Sequence, residues 1–328
     1  MSPNSTLTRV QGLLVGHHNS DQRPTGCTVV LCPDGTVAGV DVRGAAPGTR
    51  ETDVLSPQNS VPHVHAILLS GGSAFGLDAA SGVMKWLAQQ GRGISVGAVR
   101  VPIVPAAVIF DLGVGDPQVR PDAASGWSAC EKATQAPVAL GNVGAGAGAT
   151  VGKVFGPHLS MKGGIGSAVL TVAGVTVAAL VVVNALGDVV DPKSGRILAG
   201  ARISETSLQL QDTVASQIQG LPTSGVAAGS NTTIGVIATD AVLTKTQAHR
   251  LAQMGHNGLA QTIRPVHTPW DGDTLFALGT GSSGVSADMM LLSTLAAEVT
   301  ARAVISAIES ATGFRLGSAW WPSAKDLT

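Results

Sequence analysis

Residues 169–186 read VLTVAGVTVAALVVVNAL, without a single charge. Such a run is either a membrane-spanning helix or a pair of buried strands, and the choice decides the class of the protein. Ala173-Gly174 interrupts it as a turn, and the flanks are rich in β-branched residues. Branched side chains fit a pleated surface and are stiff in a helix. The run therefore predicts two strands joined by a tight turn. It does not alternate with polar residues, so both faces of these strands need cover, as in a layered α/β architecture.

The rest of the chain agrees with buried layers. Glycine punctuates the valine-rich runs, 42 times in 328 residues, so many segments approach each other backbone to backbone. The formal net charge is −1, with no basic patch or acidic tail. That argues against nucleic acid or an anionic membrane as partner. Cys27, Cys32 and Cys130 are odd in number and lack metal-ligand spacing. They are expected to be buried free thiols in a reducing compartment. The opening Met-Ser-Pro-Asn-Ser-Thr lacks a charged stretch followed by an apolar one, and a cytoplasmic location is expected.

Strands are predicted over Gly26–Leu31, 35–41, 65–69, 167–172, 175–183, 233–238 and 274–278. Helices are predicted over 75–90, from Thr244 onward, and over 286–311 with a stop at Gly313. Thr244 and Gln247 stand at capping-box spacing. Ala248, Leu251, Ala252, Gly255 and Leu259 then repeat as one helical face. Residues 206–230 read as a linker ending in LPTSGVAAGS, a natural place for processing.

Directly after that linker comes Asn231-Thr232-Thr233, opening a strand. A threonine hydroxyl is a weak nucleophile and needs a base. Cleavage before Thr232 would free an α-amine whose ordinary pKa, about 8, suits that role. By itself the junction is a weak signal, because threonine commonly starts strands. A second cluster is His267-Thr268-Pro269-Trp270-Asp271-Gly272-Asp273-Thr274. Gly272 lets both carboxylates face one site, where they would orient a hydroxyl and an ammonium. A solvated turn and a divalent-metal site are the other readings. His158, His256 and His267 are too scattered in sequence to demand a metal; His267 fits a general base, but a lone histidine is more often structural. The third cluster, residues 144–153 (GAGAGATVGK), lacks the Lys-Ser/Thr step of a phosphate loop. It reads instead as a close backbone approach that brings Lys153 and N–H groups to a substrate oxygen. Asn184 ends the VVV run, as a strand cap or as an amide facing the same pocket. Ser73, in GGSAFG, lacks the GxSxG pattern, so that loop reads as close helix–strand packing.

Together these motifs resemble the self-processing L-aminopeptidase/D-esterase family, which includes β-aminopeptidases and the nylon-oligomer (6-aminohexanoate oligomer) endohydrolase. The resemblance spans nearly the whole chain. It rests on VRGAAPGTRETD (42–53), LLSGGSAFGL (68–77), VPIVPAAVIFDL (101–112), GAGAGATVGK (144–153), VVVNALGDVVD (181–191), NTTIGVIATDA (231–241) and DGDTLFA (271–277).

The resemblance implies a four-layer αββα sandwich, shared with ornithine acetyltransferase. That fold is like the N-terminal-nucleophile hydrolases but differently connected. It implies one domain, cut by the chain itself into residues 1–231 and 232–328. Thr232 matches the nucleophile freed by an Asn–Thr cut. Lys153 and Asn184 match the family's lysine and asparagine, and Asp271 and Asp273 match the aspartate pair of the nylon-oligomer hydrolase. The β-aminopeptidases have serine and glutamate at this pair and serine as nucleophile. Phe110 and Trp270 are candidates for substrate contact. No cofactor or metal is implied. The implied partners are a small peptide or amide substrate, the chain's own cleaved fragment, and further copies in a homo-oligomer. The family has a tyrosine that helps the oxyanion where this chain has Phe110. Phe cannot donate a hydrogen bond, so Asn184, Lys153, backbone N–H or water must take that role. The alternatives are acyl transfer of the ornithine acetyltransferase type and a non-catalytic homologue.

Overall fold

The run at 169–186 folds as the tail of one strand and nearly all of the next. In the computed structural model, which describes residues 4–223, 229–286 and 288–327, Gly164–Val172 and Val175–Asn184 pair antiparallel, with Val172 opposite Val175. Ala173 and Gly174 both take positive φ, 52° and 78°. This is the backbone of a tight hairpin turn whose twist matches the strands.

Two five-stranded sheets face each other. The first has the order Leu14–Asn19, Gly26–Leu31, Ala66–Ser70, Ala106–Val108, Thr49–Arg50. The second has the order Gly164–Val172, Val175–Asn184, Thr232–Thr239, Thr274–Gly279, Val37–Val42. Neighbours run antiparallel except Ala66–Ser70 with Ala106–Val108 and Thr232–Thr239 with Thr274–Gly279, which are parallel.

Side-chain alternation assigns the layers. In Val175–Asn184, the residues Ala178, Leu180 and Val182 point between the sheets, with Val30, Ile67 and Leu69 of the first sheet. Val177, Ala179, Val181 and Val183 point the other way, onto helices Lys245–Thr262 and Met289–Ser310. Cys27, Val29 and Leu31 pack outward on helices Ala79–Gln89 and Ala123–Glu131. Helix, sheet, sheet and helix are thus held by three apolar seams, the αββα sandwich the sequence led us to expect. Met289–Ser310 is long and apolar enough to cross a membrane, but one face of it is packed against the second sheet. The three cysteines are free and buried.

Some boundaries differ from the sequence reading. The helix placed over 75–90 begins as a 3-10 turn, Ser73–Asp78, before Ala79–Gln89. The last helix, expected over 286–311, runs Met289–Ser310, with Ala311 already extended. The linker 206–230 holds a short helix, Thr213–Ile218, capped by Asp212; residues 224–228 of the linker lie outside the described residues. Strand Leu14–Asn19 and helix Ala123–Glu131 were not foreseen. That helix is seated through glycines: a Cβ on Gly82 would stand 1.7 Å from Ala123 O, and one on Gly126 1.9 Å from Ala79 O.

Candidate active site

Thr232 opens the middle strand of the second sheet, and the chain at the ends of the strands on both sides supplies Asn184 and the aspartate pair. Asn184, the last residue of Val175–Asn184, stands directly opposite Thr232. On the other side an isolated parallel bridge joins Asn231 to Asp271, so the DGD and NTT segments meet where their strands begin. The Asn231–Thr232 bond lies out of solvent, with Asn231 0% and Thr232 2% exposed. The Thr232 hydroxyl donates to the Asn231 carbonyl oxygen at 2.5 Å. Gly272 N–H donates to the same oxygen at 3.0 Å. That carbonyl therefore has a nucleophile-type group alongside and an N–H polarising it.

Lys153 comes from the glycine-rich segment. Gly152 has φ 74°, and a Cβ there would lie 2.0 Å from the Gly200 carbonyl carbon, so this segment packs backbone to backbone. Lys153 Nζ donates to Asn184 O and Oδ1, both at 3.0 Å, and to Ser230 O at 3.3 Å. Asn184 Oδ1 also accepts from Thr150 N–H, and its Nδ2 donates to Phe110 O at 3.2 Å. The asparagine thus fastens Lys153 in place, with its amide donor engaged on Phe110. Burial lowers the Lys153 pKa to about 7, although Asp271 and Asp273 pull it upward. A second buried lysine, Lys162, donates to Gly146 O, Ala149 O and Gly163 O and ties the same segment down. The sequence reading passed over it.

Asp271 and Asp273 are 2% and 1% exposed, which excludes a solvated turn. Asp273 Oδ1 accepts from Thr233 N–H at 2.6 Å, and its Oδ2 faces His267 Nδ1 at 2.7 Å. Asp271 Oδ2 accepts from Thr268 N–H at 2.7 Å. Burial, and then repulsion from Asp273, push the Asp271 carboxyl up to about 6. His256 and His267, distant in sequence, lie with ring centroids 4.8 Å apart. Among the described residues no group of His, Cys, Asp or Glu is placed to hold a metal ion.

A cleft of about 440 Å³ borders Lys153 and Ser230. Phe110, Val114, Pro157 and Trp321 give it apolar walls. Trp270 packs instead on Val154, Phe155, Leu186 and Ala201. Thr232, Lys153, Asn184, Asp271 and Asp273 are therefore gathered at one place, with Phe110 on the adjoining cleft and Trp270 off it. Two roles escaped the sequence reading, that of Gly272 N–H as a donor to the Asn231 carbonyl and that of His267 as a partner of Asp273. The DGD spacing signals the first only through its glycine, and no pattern signals the second.

Residues 5–317 match the model of peptidase family S58. A protein named an uncharacterized aminopeptidase, from Mycobacterium tuberculosis (strain ATCC 25618 / H37Rv), is 48% identical over 295 residues, which cover 86% of this chain and 83% of that one. The 6-aminohexanoate-oligomer endohydrolase of Paenarthrobacter ureafaciens is 32% identical over 275 residues, covering 82% and 73% respectively. Among solved structures, the L-aminopeptidase D-Ala-esterase/amidase from Ochrobactrum anthropi is described as a new variant of the Ntn hydrolase fold. It superposes with a TM-score of 0.71 over 98% of this chain and 91% of that one, at 18% identity, which is a likeness of fold. The layered architecture is accordingly that of the N-terminal-nucleophile hydrolases in this variant form, and the chain belongs to peptidase family S58.

Proposed function

We propose that the chain cuts itself between Asn231 and Thr232 and then hydrolyses amide bonds of small peptides or amide oligomers through an acyl-enzyme on Thr232. The observation that carries this reading is the setting of the Asn231 carbonyl. It is buried, its oxygen accepts from Gly272 N–H, and the Thr232 hydroxyl lies against it.

Self-cleavage begins when Thr232 Oγ1 attacks the Asn231 carbonyl carbon. Negative charge grows on the carbonyl oxygen, where Gly272 N–H meets it. Lys153, as a free amine, takes the hydroxyl proton and passes it to the departing Thr232 nitrogen. The C–N bond breaks and an ester joins Asn231 to Oγ1. Water hydrolyses the ester, leaving an Asn231 carboxylate and a Thr232 with a free α-amine.

That amine is then the base. It takes the Oγ1 proton as Oγ1 attacks a substrate amide, and the proton leaves with the substrate's amine. Water releases the acyl group. Once the Ser230-Asn231 end withdraws from Lys153, the acyl part of a substrate takes its place beside the apolar cleft. Relatives named as an aminopeptidase and as an oligomer endohydrolase support small amides as the substrate class.

The test is amine release from 6-aminohexanoate oligomers and a panel of aminoacyl p-nitroanilides. Thr232→Ser keeps an oxygen nucleophile and is expected to retain hydrolysis. Thr232→Ala is expected to lose on the order of 10³-fold or more, a nucleophile-sized effect. Undiminished hydrolysis by Thr232→Ala rules the acyl-enzyme out.

A further inference from the structure

His267 is held at φ 56°, a backbone conformation that side chains rarely adopt. None of the steps above uses it. Its backbone N–H and its Nδ1 both reach Asp273 Oδ2, at 3.2 and 2.7 Å. An ionised carboxylate only accepts, so Nδ1 carries the proton. The other carboxylate oxygen holds Thr233 N–H at 2.6 Å, one residue from Thr232. Turning this carboxylate would break all three hydrogen bonds together.

The imidazole is itself wedged. His256, wholly buried in helix Lys245–Thr262, meets it edge to face. His256 Nε2 lies 3.1 Å from the Asp41 carbonyl oxygen and 3.6 Å from the Asp41 carboxylate, which pairs with Arg43. Burial pushes the His256 pKa down to about 4. Its contact with the Asp41 side chain is therefore that of a neutral ring and not an ion pair.

We propose that His267 is a positioning residue of the reaction: its Nδ1–H and N–H clamp Asp273 Oδ2, which fixes Oδ1 on the strand that carries the nucleophile. This rests on Thr232 being that nucleophile. The strained φ has a purpose in this arrangement, because it lets one residue present both its backbone and its ring donors to a single oxygen.

The backbone conformation supplies a clean test. Asn tolerates positive φ and sets an amide N–H close to where Nδ1 stands; Gln sets it one carbon further out; Gly accepts the φ and offers no side-chain donor. Self-cleavage after cell-free synthesis, followed by the appearance of two fragments, needs no substrate. His267→Asn is expected to cut within about threefold of the wild-type rate. His267→Gln and His267→Gly are expected to be slower by roughly 10- to 100-fold, the size of a small misplacement at a reacting group. Thermal midpoints report folding, and if His267→Gly does not fold, the contrast of Asn with Gln decides. Equal rates in all variants, or Asn as slow as Gln, overturn the proposal. A Thr232→Ala chain cut at the same bond removes its basis. Wild type cut, Thr232→Ala uncut and His267 variants indifferent sink the positioning role alone.

Discussion

At the scale of single residues, the site depends on ionisable groups held out of water. Lys153 can take a proton only as a free amine, and burial sets its pKa at about 7 against the pull of Asp271 and Asp273. Below that value the amine fraction falls, so the self-cleavage rate is expected to drop about tenfold per pH unit and to level off above it. Asp273 is one of the two anions that favour the ammonium. Replacing it by Asn lets the Lys153 pKa fall further, so the rise of the pH–rate curve moves to lower pH. The plateau falls as well, on the order of 10²-fold, because the acceptor for Thr233 and His267 is weakened. Single-turnover cleavage measured from pH 5 to 9 checks both effects. A curve whose midpoint stays put in Asp273→Asn argues against Lys153 as the proton carrier.

At the scale of elements, the proposed cut would leave two interleaved pieces. Thr232–Thr239 and Thr274–Gly279 come from the later piece. They lie between Val175–Asn184 and Val37–Val42 of the earlier one. Ile234, Val236, Phe276 and Leu278 are buried between the sheets, each worth roughly 1.5–3 kcal/mol. The cut protein is therefore expected to elute in gel filtration as one species and to separate only in denaturant. Two native fragments of unequal size at micromolar concentration contradict this. The strands that hold the pieces together were also the most legible in the sequence. Branched runs marked Val175–Asn184 and Thr232–Thr239, and Thr244 with Gln247 marked the start of its helix through a capping box that is present. Leu14–Asn19 was hidden because HHN and Gly16 break its apolar pattern. Ala123–Glu131 was hidden because its packing runs through Gly126 and not an apolar stripe. His267 was illegible for a different reason: its partner oxygen comes from a loop conformation, and a lone histidine carries no spacing.

At the scale of the whole molecule, the sandwich decides who can reach the bond. Asn231, Thr232 and Thr233 are buried where the second sheet begins, whereas proteases nick exposed, mobile chain. An outside enzyme has no access to this bond in the folded protein. On the proposed reading the acting group is one already inside, and the Thr232 hydroxyl lies against the Asn231 carbonyl. Intact mass and N-terminal sequencing of freshly purified wild type and Thr232→Ala, both denatured, test this most directly. The account predicts two wild-type fragments, the later one beginning at Thr232, and a single uncut chain for Thr232→Ala. An active wild type that remains one chain, or a Thr232→Ala protein cut at the same bond, contradicts it.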